Sequence, residues 1–297
     1  MTPPPVGVSE TIAPGLRRIL APNPGPMTHW GTNSFILGEG DVAIVDPGPK
    51  DSAHLEALLQ TTRGERITHI LVTHAHADHS PLARALSEKT GAPVLGFGPP
   101  EAGRSATMTL LAQKGLAAGG EGVDKDFKPD QTLADRDVVQ GPGWQVTALH
   151  TPGHFAGHLA FRFGDVILSG DHVMDWSSSL VSPPDGDLGA FMRTSERLKD
   201  EGATMLVPGH GGAISDPKER LDWLTAHRKS RETAILSELN HQPQKVDALT
   251  ARVYTDVPSK MLPAAARNVF AHLIDLVERN LVAAEPELAI GAEFRLL

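Results

Sequence analysis

No cysteine occurs in the 297 residues. Disulfide bridges and thiolate chemistry are therefore excluded, and a cytoplasmic setting is the default expectation. Tyrosine occurs once, at Tyr254, and aromatics make up only 5% of the chain. A site that needs a tyrosine must use that residue or none. No apolar run approaches the roughly 18 residues of a membrane span, so no membrane partner is expected. The opening, MTPPPVGVSE, lacks a basic segment followed by an apolar one, so no secretory signal is expected. Cations are outnumbered: 27 lysines and arginines face 36 aspartates and glutamates, for a net charge of −9. That balance disfavours a surface built for nucleic acid. The hydrophobic fraction, 40%, is ordinary for a soluble globular protein. The length allows one large domain and one small one.

What the chain does have is a run of metal-binding side chains. Residues 73–79 read THAHADH, which puts His74, His76, Asp78 and His79 directly after the apolar stretch ITHILVT. Neutral imidazole nitrogens and carboxylates are the donors that zinc and similar borderline metals take. A solvated histidine-rich loop is the competing reading, and three later segments weigh against it. HTPGHFAGHLAF places His154 just after Pro152-Gly153, VILSGDHVM places Asp171 at the end of a second apolar run, and TMLVPGHGG places His210 at the end of a third. Strand, tight turn, ligand is how a sheet delivers side chains to one rim. The neighbouring glycines let backbone approach a metal without a Cβ clash.

These motifs closely resemble the metallo-β-lactamase superfamily. The H-x-H-x-D-H run, His154, the Gly170-Asp171 pair and the Pro208-Gly209-His210 turn match in order. Asp46 in VAIVDPGP matches an aspartate that the family keeps buried near the metal loop. The match covers about residues 15 to 225. It implies an α/β fold, the αβ/βα four-layer sandwich, with metals at one edge between two sheets. It implies that His74, His76 and His154 hold one metal, that Asp78, His79 and His210 hold a second, and that Asp171 bridges them. Zinc is the expected metal, with iron or manganese as alternatives, because His/carboxylate sites accept all three. Two cations about 3.5–4 Å apart would share a water and lower its pKa towards neutrality. They would also steady the charge developing on the attacked oxygen. Asp78 is the expected catalytic group, orienting the hydroxide or passing a proton to the leaving group.

GLRRILAP, NSFILGEG and DVAIVDPG read as strands. SAHLEALLQTT reads as a helix, with Leu55, Leu58 and Leu59 at helical spacing. ITHILVT is a buried strand, and APVLGFG is the next. Between them SPLARALSEKTG is a helix, with Ser80 as its N-cap and Gly91 as its stop. Alternation of strand and helix is expected to continue through residue 210, which argues a layered α/β architecture. Residues 99 to 130 are rich in glycine and alanine. They read either as an insertion near the site mouth or as an ordinary surface connection. His158 and His172 lie beside ligands in sequence; orienting, substrate-contacting and purely structural roles are open for both. Trp176, Phe191 and Met192 flank SSSLVSPPDGDLGA, which forms either a substrate wall or a simple surface turn.

From DPKERLDWLTAHRKSRETAILSELN onwards the pattern is mostly helical. Val269, Leu273 and Leu276 share one helical face, and LVAAEPELAIGAEFRLL suits two short strands around a turn. Three helices and a hairpin resemble the winged-helix domain that ends one branch of the superfamily. That branch includes the β-lactamase-like proteins of the second type, some of which are endoribonucleases. GTNSFILG and PAAARNVFAHLIDLVERN match it. The expected division is residues 1–225 for the catalytic domain and 226–297 for a winged-helix-like domain. From residue 236 on there are six cationic and eight acidic side chains. Duplex DNA is therefore not an expected partner, and packing on the first domain or in a homodimer is.

Several relatives are set aside. Zinc β-lactamases with a cysteine ligand are excluded by composition. Quorum-signal lactonases use a tyrosine near the metals, and Tyr254 lies far off in sequence. Asp171 and His210 are 39 positions apart, too few for the inserted domain of the large RNA-processing subfamily. Glyoxalase-II-like thioester hydrolases and single-iron sulfur dioxygenases share the ligand run. The expected function is a metal-dependent hydrolase using a hydroxide held by two metals on an ester, thioester or phosphodiester. The alternatives are an endoribonuclease acting on single-stranded RNA and a nucleic-acid-binding module with a structural metal site. The last is disfavoured because a structural zinc needs only four closed ligands. The expected partner is thus a small-molecule or RNA substrate.

Overall fold

A computed structural model describes residues 2–117 and 122–297. The first sheet holds seven strands in the order β1 (Ser9–Ala13), β2 (Leu16–Leu20), β3 (Asn33–Glu39), β4 (Asp41–Val45), β5 (Arg66–Leu71), β6 (Val94–Gly96) and β7 (Gln131–Thr132). Strands β1 to β4 pair antiparallel, and β4 to β7 pair parallel. Parallel neighbours need long crossovers. Helices α1 (Ser52–Thr61), α2 (Leu82–Thr90) and α3 (Ala106–Gln113) lie in those crossovers.

The second sheet contains β8 (Val138–Gly141), β9 (Trp144–His150), β10 (Leu159–Phe163), β11 (Val166–Gly170) and β12 (Met205–Pro208), ordered β12-β11-β10-β9-β8. Strands β8 to β11 form an antiparallel meander, and β12 joins parallel to β11 after helix α4 (Leu188–Asp200). The expected alternation of strand and helix therefore fails between β7 and β11. Pro142-Gly143 and Gly164-Asp165 are two-residue connections, which fold a chain into hairpins and leave no room for a helix.

Strand periodicity assigns the core. In β4, Ala43 and Val45 pack between the sheets while Val42 and Ile44 face outwards. In β10, Leu159 and Phe161 face inwards and Ala160 outwards. Leu58 of α1 and Ala83 and Leu86 of α2 cover the outside of the first sheet. Leu198 of α4, with Leu221 and Leu224 of α5 (Pro217–Leu239), covers the outside of the second. The result is the four-layer αβ/βα sandwich.

Gly91 stops α2 in the left-handed conformation, at φ 77°. Ser80 does not cap its start. Pro81 holds the cap position, and the Ser80 hydroxyl is drawn instead to the Asp124 carboxylate at 2.7 Å.

Helix α5 runs unbroken across residues 225 and 226. Its second half contributes Ile235 and Leu239 to a separate core. That core also takes in α6 (Val246–Val253), α7 (Leu262–Glu278) and a small sheet of β13 (Gln244–Lys245), β14 (Val282–Glu285) and β15 (Glu293–Leu296). Val269, Leu273 and Leu276 are all buried in it, as their helical spacing requires. This is the winged-helix domain, and it packs on the sandwich. Met108 and Leu111 of α3 enter the same core. The glycine- and alanine-rich stretch thus carries a helix that links the two domains, and it is not a plain surface connection. Residues 118–121 of that stretch lie outside the described residues. No described helix is long and apolar enough to cross a membrane.

Candidate metal centre

Four connections at one rim of the sandwich carry seven chemically related side chains. The loop after β5 presents His74, His76, Asp78 and His79. The β9–β10 connection presents His154, Asp171 follows β11, and His210 follows β12. All seven are buried. One ligand atom from each of His74, His76, His154 and Asp171 lies within 4.8 Å of the others, and Asp78, His79 and His210 form a second such group. Asp171 also reaches the second group: Oδ1 is 3.4 Å from His79 Nε2, and Oδ2 is 3.3 Å from His210 Nε2. A Cβ at Gly209 would collide with Asp171 Oδ1 and lie 2.7 Å from His79 Cε1. Glycine is required there to let the strand end come this close.

The hydrogen bonds fix which ring nitrogens face the cluster. Thr73 Oγ1 donates to Asp46 Oδ2 and therefore accepts from His74 Nδ1. His79 Nδ1 donates to Asp46 Oδ2 at 2.9 Å, His154 Nδ1 to the Leu180 carbonyl at 2.7 Å, and His210 Nδ1 to the Gly31 carbonyl at 3.1 Å. Each of these imidazoles commits its outer N–H to a fixed acceptor, and its Nε2 turns inward. His74 Nε2 and His154 Nε2 both approach His76 Nδ1, at 2.9 and 3.1 Å. Lone pairs converging on one point are the donor set a metal takes.

Charge makes the same demand. Burial pushes His76 down to about 3 and lowers His74 and His154, so these three are neutral. Burial would also lower His79 and His210, but Asp78 and Asp171 outweigh it. They hold His79 well above the ordinary imidazole value and raise His210 to about 10. Against the cost of burial, the same pairing holds both carboxylates well below the usual carboxylate range. Two buried carboxylates thus draw positive charge into the site. Asp171 Oδ1 has no hydrogen-bond partner among the described residues. The residues fit a pair of divalent cations.

Supporting residues surround the seven. Asp46, at φ 50°, accepts from the Thr73 amide and hydroxyl and from His79. Thr32 Oγ1 donates to Asp78 Oδ2 at 3.0 Å, and Asn33 Nδ2 holds the Pro208 and Gly211 carbonyls on either side of His210. His158 Nε2 accepts from the Asp171 amide, so its Nδ1 carries the proton and donates to Thr151 Oγ1. It positions the Asp171 backbone and is fully buried, away from substrate. His172 is also fully buried, packs on Phe191 and meets Ser195 Oγ at 3.1 Å. Burial holds it neutral, at about 3.

A pocket of about 220 Å³ opens over the cluster, and His76, His154, Asp171 and His210 form part of its lining. Of the three residues expected at a substrate wall, Trp176 lines it, joined by Met174, but Phe191 and Met192 do not. Asp187 caps α4, which turns Phe191 into an apolar cluster with Leu188 and Val181, against which Met192 packs. The C-terminal domain supplies another part of the wall, through Tyr254, Val257, Met261, Ala264 and Ala265. The single tyrosine, remote in sequence, therefore borders the metal pocket.

Three arginines tie this loop down. Arg220 donates to the Met174 and Ser177 carbonyls, Arg228 to the Ser179 carbonyl and Asn268 Oδ1, and Arg267 to the Pro183 carbonyl and Ser182 Oγ. Leu180, whose carbonyl orients His154, lies between these anchors. None of this is visible in a motif, because backbone carbonyls carry no residue-type signal.

Comparison with known proteins follows the same lines. Residues 27–210 match the metallo-beta-lactamase superfamily, and residues 246–290 match the beta-lactamase associated winged helix domain. A beta-lactamase-like protein 2 homolog of Drosophila melanogaster is 31% identical over 274 residues, covering 87% of this chain and 86% of the relative. An atrochrysone carboxyl ACP thioesterase of Aspergillus chevalieri is 28% identical over 247 residues, covering 82% of this chain and 71% of the relative. The crystal structure of a metallo-beta-lactamase family protein from Thermus thermophilus superposes with a TM-score of 0.77 at 26% identity, covering 97% of this chain and 100% of the other.

Proposed function

The chain belongs to the metallo-beta-lactamase superfamily and is a hydrolase of that fold, and we propose that it cleaves an ester or thioester with two zinc ions. His74, His76, His154 and Asp171 would hold one ion, and Asp78, His79 and His210 the other, with Asp171 reaching both. The bound ions supply the positive charge that polarises a carbonyl and acidifies water. The chain's own residues do the rest. Asp46 keeps the outer proton of His79 in place, so that Nε2 remains a donor to the cluster. Thr32 fixes the rotation of Asp78 through Oδ2. Asp78 Oδ1 stands outside that contact and takes a proton from the attacking water. Water adds to the carbonyl carbon, the C–O or C–S bond breaks, and the alcohol or thiol leaves with that proton.

The observation that carries this reading is the convergence of three neutral imidazoles, two further histidines paired with carboxylates, and those two buried carboxylates at one pocket. The thioesterase named among the relatives supports the choice of carbonyl substrate. The test is a panel of carboxylic ester, thioester, phosphodiester and single-stranded RNA substrates. Ester or thioester turnover is expected, abolished by a chelator and restored best by zinc. Cleavage of RNA alone would overturn the proposal.

A further inference from the structure

The pocket over the metal cluster contains no lysine or arginine among the described residues. Arg220, Arg228 and Arg267 lie close behind it, yet their donors are taken up by loop carbonyls and polar side chains. A phosphodiester backbone needs cations to replace its counterions. Aromatic faces for stacking bases are also partly taken: His29 stacks on Trp176 at 4.7 Å, and Arg231 lies over Tyr254 at 4.5 Å. What the pocket offers is apolar and deformable. Met27, Met174 and Met261 line it together with Trp176 and Leu180, and methionine adapts to varied apolar shapes. Two small residues, Ala264 and Ala265, stand in the first turn of α7 and line the same pocket as His154 and Asn268.

We propose that this pocket seats an uncharged apolar acyl group attached to the scissile carbonyl, and that the C-terminal domain selects it through Met261, Ala264 and Ala265. The inference rests on the carbonyl-hydrolase reading above and adds the class of acyl group. A volume of about 220 Å³ is below the 300–1,000 Å³ of drug-sized sites, so one alkyl chain or single ring fills it. Hydrolysis releases the carboxylic acid of that acyl group and the free alcohol or thiol.

The test uses the full zinc-loaded chain with matched acetyl, octanoyl and benzoyl esters and thioesters of common leaving groups. Octanoyl or benzoyl substrates are expected to exceed acetyl in kcat/KM by about tenfold or more, the effect of even one methylene in an apolar pocket. Ala264→Phe, and the milder Ala264→Leu, fill the space and are expected to reduce that ratio by about tenfold, with thermal unfolding used to verify the fold. Octanoate binding, read through tryptophan fluorescence and calorimetry, is expected to weaken in the same variants. Met261→Ala is expected to shift the preference to bulkier acyl groups. Ester or thioester turnover without acyl preference, or a preference untouched by both Ala264 variants, would overturn the acyl pocket while leaving the hydrolase reading intact. RNA cleavage with no carbonyl turnover would overturn both.

Discussion

Asp78 has two oxygens with different surroundings, and its role turns on that difference. Oδ2 accepts from Thr32 and is the oxygen nearest His79 and His210, while Oδ1 makes no hydrogen bond to Thr32. Asp78→Asn keeps the shape, removes the base and replaces one ligand of the second ion, so its kinetics are read in protein shown to carry two zinc ions. It should lower kcat by about a hundredfold or more while KM changes little, as general-base loss does. Near-normal turnover in steady-state kinetics would remove the assigned role. Gly209→Ala tests the close approach of β12 to Asp171. The added methyl collides with Oδ1, so zinc affinity, measured against a chelator, should fall by at least about tenfold, on the scale of other disturbed metal ligands. Wild-type affinity would contradict the packing argument. At this scale the sequence is most legible. All seven cluster residues and Asp46 sit in short motifs whose chemistry depends on residue type. His158 and His172 could not be assigned from sequence, because their roles depend on which backbone groups face them. Thr32 was hidden for the same reason, although it stands inside the GTNSFILG segment.

The loop from Met174 to Pro183 shows what whole elements contribute. It has no regular structure, and arginines from α5 and α7 hold it through its carbonyls. Arg228 is buried, lies over Phe191 at 5.2 Å, and forms no salt bridge among the described residues. Its contribution therefore rests on hydrogen bonds from a charged donor, each worth about 1.5–3 kcal/mol. Arg228→Met should destabilise the chain by about 2–4 kcal/mol in urea unfolding. Arg228→Lys should recover little, because an ammonium lacks the planar fork that spans two acceptors. Wild-type stability in either variant would contradict this account of the loop. Only half of this element was legible beforehand. Trp176 proved to be wall, but Leu188, Phe191, Ser195 and Leu198 are the buried stripe of α4. That stripe has helical spacing, and the proline- and glycine-rich run before it obscured the start at Asp187. Ser80 misled for a related reason: a favoured cap residue was claimed by a nearby carboxylate.

Across the whole molecule, buried neutral histidines set the acid limit. His54 is buried against Ser34, and burial pushes its pKa from 6.5 down to about 4. A depressed imidazole binds more protons unfolded than folded. Its contribution is therefore complete above pH 6.5 and is lost as pH falls towards about 4, about 3 kcal/mol in all. The stability difference between wild type and His54→Gln, measured in metal-free protein, should shrink as pH falls through that window. A difference independent of pH would contradict the assignment. A layered α/β architecture and a helical C-terminal part were legible in strand and helix periodicity, while the four-layer sandwich and the winged-helix domain were implied by the family resemblance. Packing of the second domain on the first was expected from its apolar face, but the link through α3 was not, because α3 reaches the C-terminal core from a segment whose composition reads as loop. That joining brings Tyr254 and Met261 to the metal pocket, so removing residues after 235 should expose apolar surface and make the chain insoluble. A soluble, active truncation would contradict it. The central claim is that two ions sit side by side where the three ligand loops and Asp171 meet. Elemental analysis of the full chain, purified with zinc supplied and excess removed, tests it most directly. Two ions per chain, falling to one or none in Asp171→Ala, is the expected result; fewer than one ion per wild-type chain would contradict the account.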